Sequence, residues 1–174
     1  AMEIPTLGLV LGFARAADGT FYYATGTYDD DVNAVYPAKN EHRSNVIRVY
    51  HYDDTGHVLF NVDLDTARAA AFDNAEALIN PGVASSARLA VAGNVVGLVA
   101  GNNTNPDANL NGTRHQKAAS TFLDATTGDI LFASSIWMSH SFDQRYLVDG
   151  NDLLELHLGD AYDRSITYTR VVAG

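Results

Sequence analysis

The chain contains no cysteine, so neither a disulfide framework nor a thiolate metal site can form. That absence leaves the compartment open. Basic residues are scarce, with 11 Lys and Arg against 21 Asp and Glu, a formal charge of −10. A nucleic-acid backbone is therefore excluded as the expected partner, because neutralising phosphates needs a basic surface. An acidic surface suits solubility, cations or neutral sugars instead. No apolar run approaches the length of a membrane helix, and no stretch reads as a signal peptide. The Ala1-Met2 opening reads as an expression scar ahead of a trimmed mature chain or a fragment. Also missing are a Gly-rich phosphate loop, a Ser nucleophile elbow and an HExxH pair, which excludes most motif-bearing enzyme classes.

What is present points to strands. At 174 residues with 47% hydrophobic and 18% charged content, the chain suits one globular domain over 1–174. Nine Tyr and seven Phe, with many Val and Thr, favour β structure. Three times an apolar strand meets a tight Gly turn and returns: 10–24 over Asp18-Gly19, 89–100 over Gly93-Asn94, and 146–158 over Gly150-Asn151. Two of these are followed by another hairpin, 46–63 over Thr55-Gly56 and 118–134 over Thr127-Gly128. The segments Thr55-Gly56-His57-Val58-Leu59-Phe60 and Thr127-Gly128-Asp129-Ile130-Leu131-Phe132 read alike. A repeated four-stranded antiparallel unit predicts the blades of a β-propeller, at about 4–64, 83–136 and 138–173.

Residues 65–79 break the pattern, since Leu64, Ala67, Ala71, Ala75 and Leu78 recur at helical spacing behind the capping candidates Asp65 and Thr66. A short helical or irregular insertion is expected there, ended by Asn80-Pro81-Gly82. The whole is all-β, about two full blades and most of a third, where closure takes about four to eight. The chain is then a fragment, or a homodimer completes a six-bladed ring, or the sheets form an open stack.

In an up-and-down unit the short turns gather at one end and the longer connections at the other. Segments 28–45, 102–116, 137–144 and 159–165 hold most of the Asp, Asn, His and Arg, which marks the second end as the functional face. Asp107, Asn109 and Asn111 ahead of Gly112 reproduce the first half of a calcium loop, and calcium is the one cofactor considered. The match fails at His115 and Ala118, and Asn also favours turns for its own geometry. Asp29-Asp30-Asp31 with Asn33 is a second cation candidate or a solvated acidic loop.

His115, His140, Asp143 and Arg145 form a candidate catalytic set: two proton carriers, a carboxylate to orient them and a guanidinium to hold an acid. The plainer reading makes Asp143 and Arg145 part of a polar lock between blades. Trp137 can stack on a sugar or anchor a junction, and Asp160, Tyr162 and Arg164 complete the ligand-binding candidates. His51, His57 and His157 read as packing residues.

Leu123-Asp124-Ala125-Thr126-Thr127-Gly128-Asp129-Ile130-Leu131-Phe132 resembles the outer-strand signature of quinoprotein-like (PQQ-like) propeller repeats, commonly Leu-Asp-Ala-x-Thr-Gly-x-x-x-Trp. Phe132 stands where that family has its docking Trp, and segment 52–60 is a weaker copy. The resemblance implies a propeller fold and, without a complete ring, no quinone. The run His140-Ser141-Phe142-Asp143-Gln144-Arg145 with Gly159-Asp160-Ala161-Tyr162 resembles uncharacterised exported bacterial propeller proteins, which implies an extracellular or periplasmic location.

The leading expectation is a non-catalytic binding module whose polar loops take a glycan, a peptide or a protein partner, with calcium as a candidate aid. The alternatives are a polysaccharide-acting lyase or hydrolase, and a self-associating structural segment.

Overall fold

A computed structural model describes residues 3, 9–26, 47–64, 78–79, 88–103, 116–136, 143–159 and 165–172. Among them every regular element is a strand. The first sheet is a meander of β1 (Leu9–Arg15), β2 (Phe21–Gly26), β3 (Ile47–Tyr52) and β4 (Val58–Leu64). The second contains β5 (Leu78–Ile79), β6 (Arg88–Ala92), β7 (Val95–Asn103), β8 (Gln116–Asp124) and β9 (Ile130–Ile136). The third is β10 (Asp143–Asp149), β11 (Asp152–Gly159) and β12 (Ser165–Val171), again in sequence order. All pairings are antiparallel.

β5 and β6 lie along the same edge of β7. Leu78 and Ile79 oppose Asn103 and Asn102, while Arg88 to Ala92 oppose Val99 to Val95. Together they fill the first position of a four-stranded unit. Leu78 and Ile79, at the end of the 65–79 insertion expected to be helical or irregular, are extended. The open N–H and C=O groups of the β7 edge are met by an extended partner, which a helix cannot supply. Residues 65–77 of that expected insertion lie outside the described ones.

The hairpins form where the sequence places glycine. Gly19, Gly56, Gly93, Gly128 and Gly150 all take positive φ, and each sits in a tight turn between paired strands. Aspartate anchors three of these turns. Asp18 Oδ1 accepts the Thr20 N–H and hydroxyl, at 2.9 and 2.7 Å. Asp53 Oδ1 accepts the Thr55 N–H, the Thr55 hydroxyl and the His57 N–H. Asp124 Oδ1 accepts from the Thr126 and Thr127 amides, both at 2.8 Å. Acceptance from several donors stabilises the charged form, so all three carboxyls are held below the usual range, Asp53 at about 2.

The turns share one end of the molecule. The Tyr22 hydroxyl, one residue into β2, donates to Ala125 O in the turn between β8 and β9 (2.6 Å). A Cβ added at Gly128 in that turn would lie 2.8 Å from the Phe60 ring near the start of β4. Leu153, just past the β10–β11 turn, is buried with Ala92 and Val95, which flank the β6–β7 turn. The three sheets therefore run in the same sense.

Two layers of packing hold them. Leu11, Tyr22, Ala24, Ile47 and Val49 of the first sheet share a core with Leu89, Val96, Leu98 and Leu123 of the second. At its tightest point β1 meets β6: a Cβ on Gly12 would sit 2.6 Å from Leu89 Cβ and 3.0 Å from its amide N. Between the second and third sheets lie Ala92, Val95, Phe122, Leu153 and Val171. β6 touches both β1 and β10, so the first strands of all three units are neighbours.

Candidate functional site

With the turns at one end, the ends that carry the longer connections lie at the other. Gly26 pairs with Ile47, Asn103 with Gln116, Ala118 with Ile136, Asp143 with Leu158 and Gly159 with Ser165. Ser120 meets Glu155 and Phe122 shares a core with Leu153, so β8 and β11 run in opposite directions and Gln116 and Gly159 come out on the same side. The strand ends bracketing 104–115, 137–142 and 160–164 are thereby gathered at one end.

Most of the predicted site residues lie outside the described ones: His115, His140, Trp137, Asp160, Tyr162, Arg164 and the calcium candidates Asp107, Asn109 and Asn111, together with Asp29, Asp30 and Asp31. Asp143 is seen by its backbone, opening β10 opposite Leu158. Arg145 follows two residues on, opposite Leu156, exposed on the side of the third sheet turned away from the second.

A different constellation occupies the seam between the second and third sheets. Glu155, 1% exposed, is its centre. Its Oε1 accepts from the Ser120 hydroxyl and meets Nε2 of His157, while Oε2 accepts from the Tyr146 hydroxyl at 3.1 Å. Ser120 and His157 are as deeply buried as Glu155, and Gln144, opposite His157 in register, joins them. Three donors on one carboxylate satisfy a group that would otherwise be very costly inside a protein. Burial first, and then the adjacent carboxylate, push the Tyr146 phenol well above its usual pKa of 10. His157 Nδ1 is buried and has no hydrogen-bond partner among the described residues.

This seam is chemically a hub. In a nucleophilic triad the imidazole stands between hydroxyl and carboxylate and takes the hydroxyl proton. Here the carboxylate stands between hydroxyl and imidazole, so Ser120 donates to an acceptor that leaves it unactivated. The arrangement locks two sheets together. The sequence reading expected a polar lock between blades and named Asp143 and Arg145 for it; the lock seen between these two sheets is built on Glu155.

Comparison with protein-family models, with curated proteins and with solved structures gave no match.

The other histidines divide. His51 is buried, stacked on Tyr22 at 4.1 Å between ring centroids and edge-on to Phe60 at 5.0 Å. Burial lowers its pKa against a smaller opposing pull from Asp18, and neither ring nitrogen has a hydrogen-bond partner among the described residues. His57 departs from the packing role expected of it. It is an exposed turn residue whose Nδ1 lies 3.4 Å from Asp53 and 3.1 Å from the Thr55 hydroxyl. Among the described residues, no group of three or more His, Cys, Asp or Glu is arranged to hold a metal, and no helix is long and apolar enough to cross a membrane.

Sequence reasoning missed Glu155. The signal was there in Leu153-Leu154-Glu155-Leu156-His157-Leu158, a strand whose alternation must bury either its leucines or its charges.

Proposed function

We propose that the chain is a non-catalytic β-propeller-type binding module, with its three sheets as blades and its polar connections as the face that takes a glycan or a protein partner. One observation carries this reading: the five positive-φ glycine turns occupy one end, so the connections rich in Asp, Asn, His and Arg depart from the other. A rigid sheet scaffold that presents varied loops at one end is a common binding architecture. The adjacency of β1, β6 and β10 supports the propeller arrangement, since blades meet through their first strands around the axis. The acidic balance of the chain favours a neutral sugar or a cation-bridged ligand over an anionic one. Calcium held by Asp107, Asn109 and Asn111 belongs to the same proposal.

Binding is preferred to catalysis because the acid, imidazole and hydroxyl seen together in the described residues, Glu155, His157 and Ser120, are sealed from any substrate. The test uses the single tryptophan, Trp137, which directly follows the connection-end residue Ile136 of β9. Its emission is titrated with neutral oligosaccharides, with and without calcium chloride. A saturable change without new reducing ends or unsaturated sugar products is expected. Product formation from the same oligosaccharides would overturn the non-catalytic reading in favour of a lyase or hydrolase.

A further inference from the structure

The third sheet buries polar side chains beside Leu153 and Val171 and leaves several large apolar ones exposed. Gln144, Glu155 and His157 face the second sheet, while Leu147, Leu158, Ile166 and Tyr168 are 52, 50, 71 and 69% exposed on the far side. Register places these residues in one patch: Leu158 beside Ile166, Leu156 between Arg145 and Tyr168, and Leu154 between Leu147 and Arg170. Turning the sheet over would have buried Leu147, Leu158, Ile166 and Tyr168, and with them the charged Arg145, Asp149 and Arg170. The chain instead satisfies Glu155 internally and keeps the apolar side outward.

We propose that this face docks a second copy of the chain, third sheet against third sheet. The proposal is independent of the ligand-binding reading above. Three observations select a copy of the chain as the occupant.

The first is extent. Four side chains, each half or more exposed and adjacent in register, form an apolar patch on the order of several hundred Å². A stable interface takes ~800 Å² per partner, of which this patch would form the apolar centre. The second is charge. Around the apolar centre stand two guanidinium groups, Arg145 and Arg170, and two carboxylates, Asp149 and Asp152, with Arg170 held 2.6 Å from Asp152 and 3.4 Å from Asp149. Among the described side chains this rim is balanced on a chain of net charge −10, so it meets an identical rim without focused repulsion.

The third is the state of the opposite end of the stack. The far side of the first sheet has Phe21, Tyr23, Thr25 and Tyr52 buried at 3–8% exposure, while Val10 and Phe13 on its edge strand β1 are 60 and 58% exposed. A head-to-tail contact would need that side. Like-to-like contact through the third sheet does not, and it closes at two copies.

The absence of cysteine makes the test clean. Sedimentation equilibrium of the wild-type chain is expected to show a dimer at concentrations up to about 100 μM. The double variant Leu158→Lys/Ile166→Lys is expected to dissociate at least ~100-fold more readily with unchanged β circular dichroism. Should that variant fail to fold, Tyr168→Cys decides: mild oxidation should give a covalent dimer, while Thr127→Cys at the turn end should not. A wild-type chain that stays monomeric throughout, a folded lysine variant that still dimerises, or a dimer in which Tyr168→Cys does not cross-link would each overturn the proposal.

Discussion

Glu155 and His157, two residues apart on β11, point into the same buried seam, where the imidazole Nε2 meets the carboxylate Oε1. Their side-by-side placement follows from the period of a strand, and their burial follows from the donors that Ser120 and Tyr146 supply. The seam is a structural commitment by the chain to dock the third sheet through a charge.

Removing that charge alone should be far worse than removing one of its donors. Glu155→Ala strands a buried hydroxyl and imidazole, and is expected to cost about 3–5 kcal/mol. Tyr146→Phe loses one hydrogen bond to the carboxylate and should cost about 1–3 kcal/mol. Urea unfolding of the two single variants and the double variant measures both costs. In the double variant the losses should be less than additive, because the Tyr146 hydroxyl bond is already gone without Glu155.

The turn glycines separate backbone strain from packing. Gly150 has φ +62 and open space around its Cα, so Gly150→Ala should cost about 1–2 kcal/mol for the left-handed conformation alone. Gly128 has φ +78 and the Phe60 ring 2.8 Å from where a Cβ would stand, so Gly128→Ala should cost about 2–3 kcal/mol more. Denaturant midpoints of the two variants check the ranking, and Gly128→Ala combined with Phe60→Leu should recover part of the difference.

Two acid windows should be separable. A group whose folded pKa is depressed contributes its full stability above the unfolded value, and that contribution fades as pH falls toward the folded one. For His51 the window opens below its ordinary 6.5, because its buried ring resists protonation. For Asp53 it runs from 3.8 down to about 2, because the Thr55 and His57 donors hold the charged form. Stability measured against pH should therefore fall in both ranges. His51→Phe should flatten the first without loss at neutral pH, since it removes two buried ring nitrogens that have no hydrogen-bond partner among the described residues. Asp53→Asn should flatten the second.

The hairpin framework was legible because its signals are local. Asp18, Asp53 and Asp124 stand two or three residues ahead of their turn partners, and each turn glycine is required by its own φ. What depended on a distant strand was not legible. Leu78 reads as part of a helix until the β7 edge offers it a partner. The alternation around Glu155 gives two candidate faces and no local reason to choose between them. The choice is made by Ser120, 35 residues earlier in the chain, whose hydroxyl waits in the opposite sheet. Arg145 lies on the far side of the third sheet from Glu155, as strand parity requires.

The account rests on the sheets running in one sense, with the glycine turns at one end and the polar connections at the other. Spin labels report this directly, since a chain without cysteine accepts them only where they are placed. Two double variants suffice: Thr55→Cys/Thr127→Cys, which joins two turns, and Thr127→Cys/Ser165→Cys, which joins a turn to a connection end. The turn–turn distance should be the shorter by about 20 Å, the length of a strand of this size. Equal distances, or a shorter one to Ser165, would contradict the shared orientation and with it the binding face.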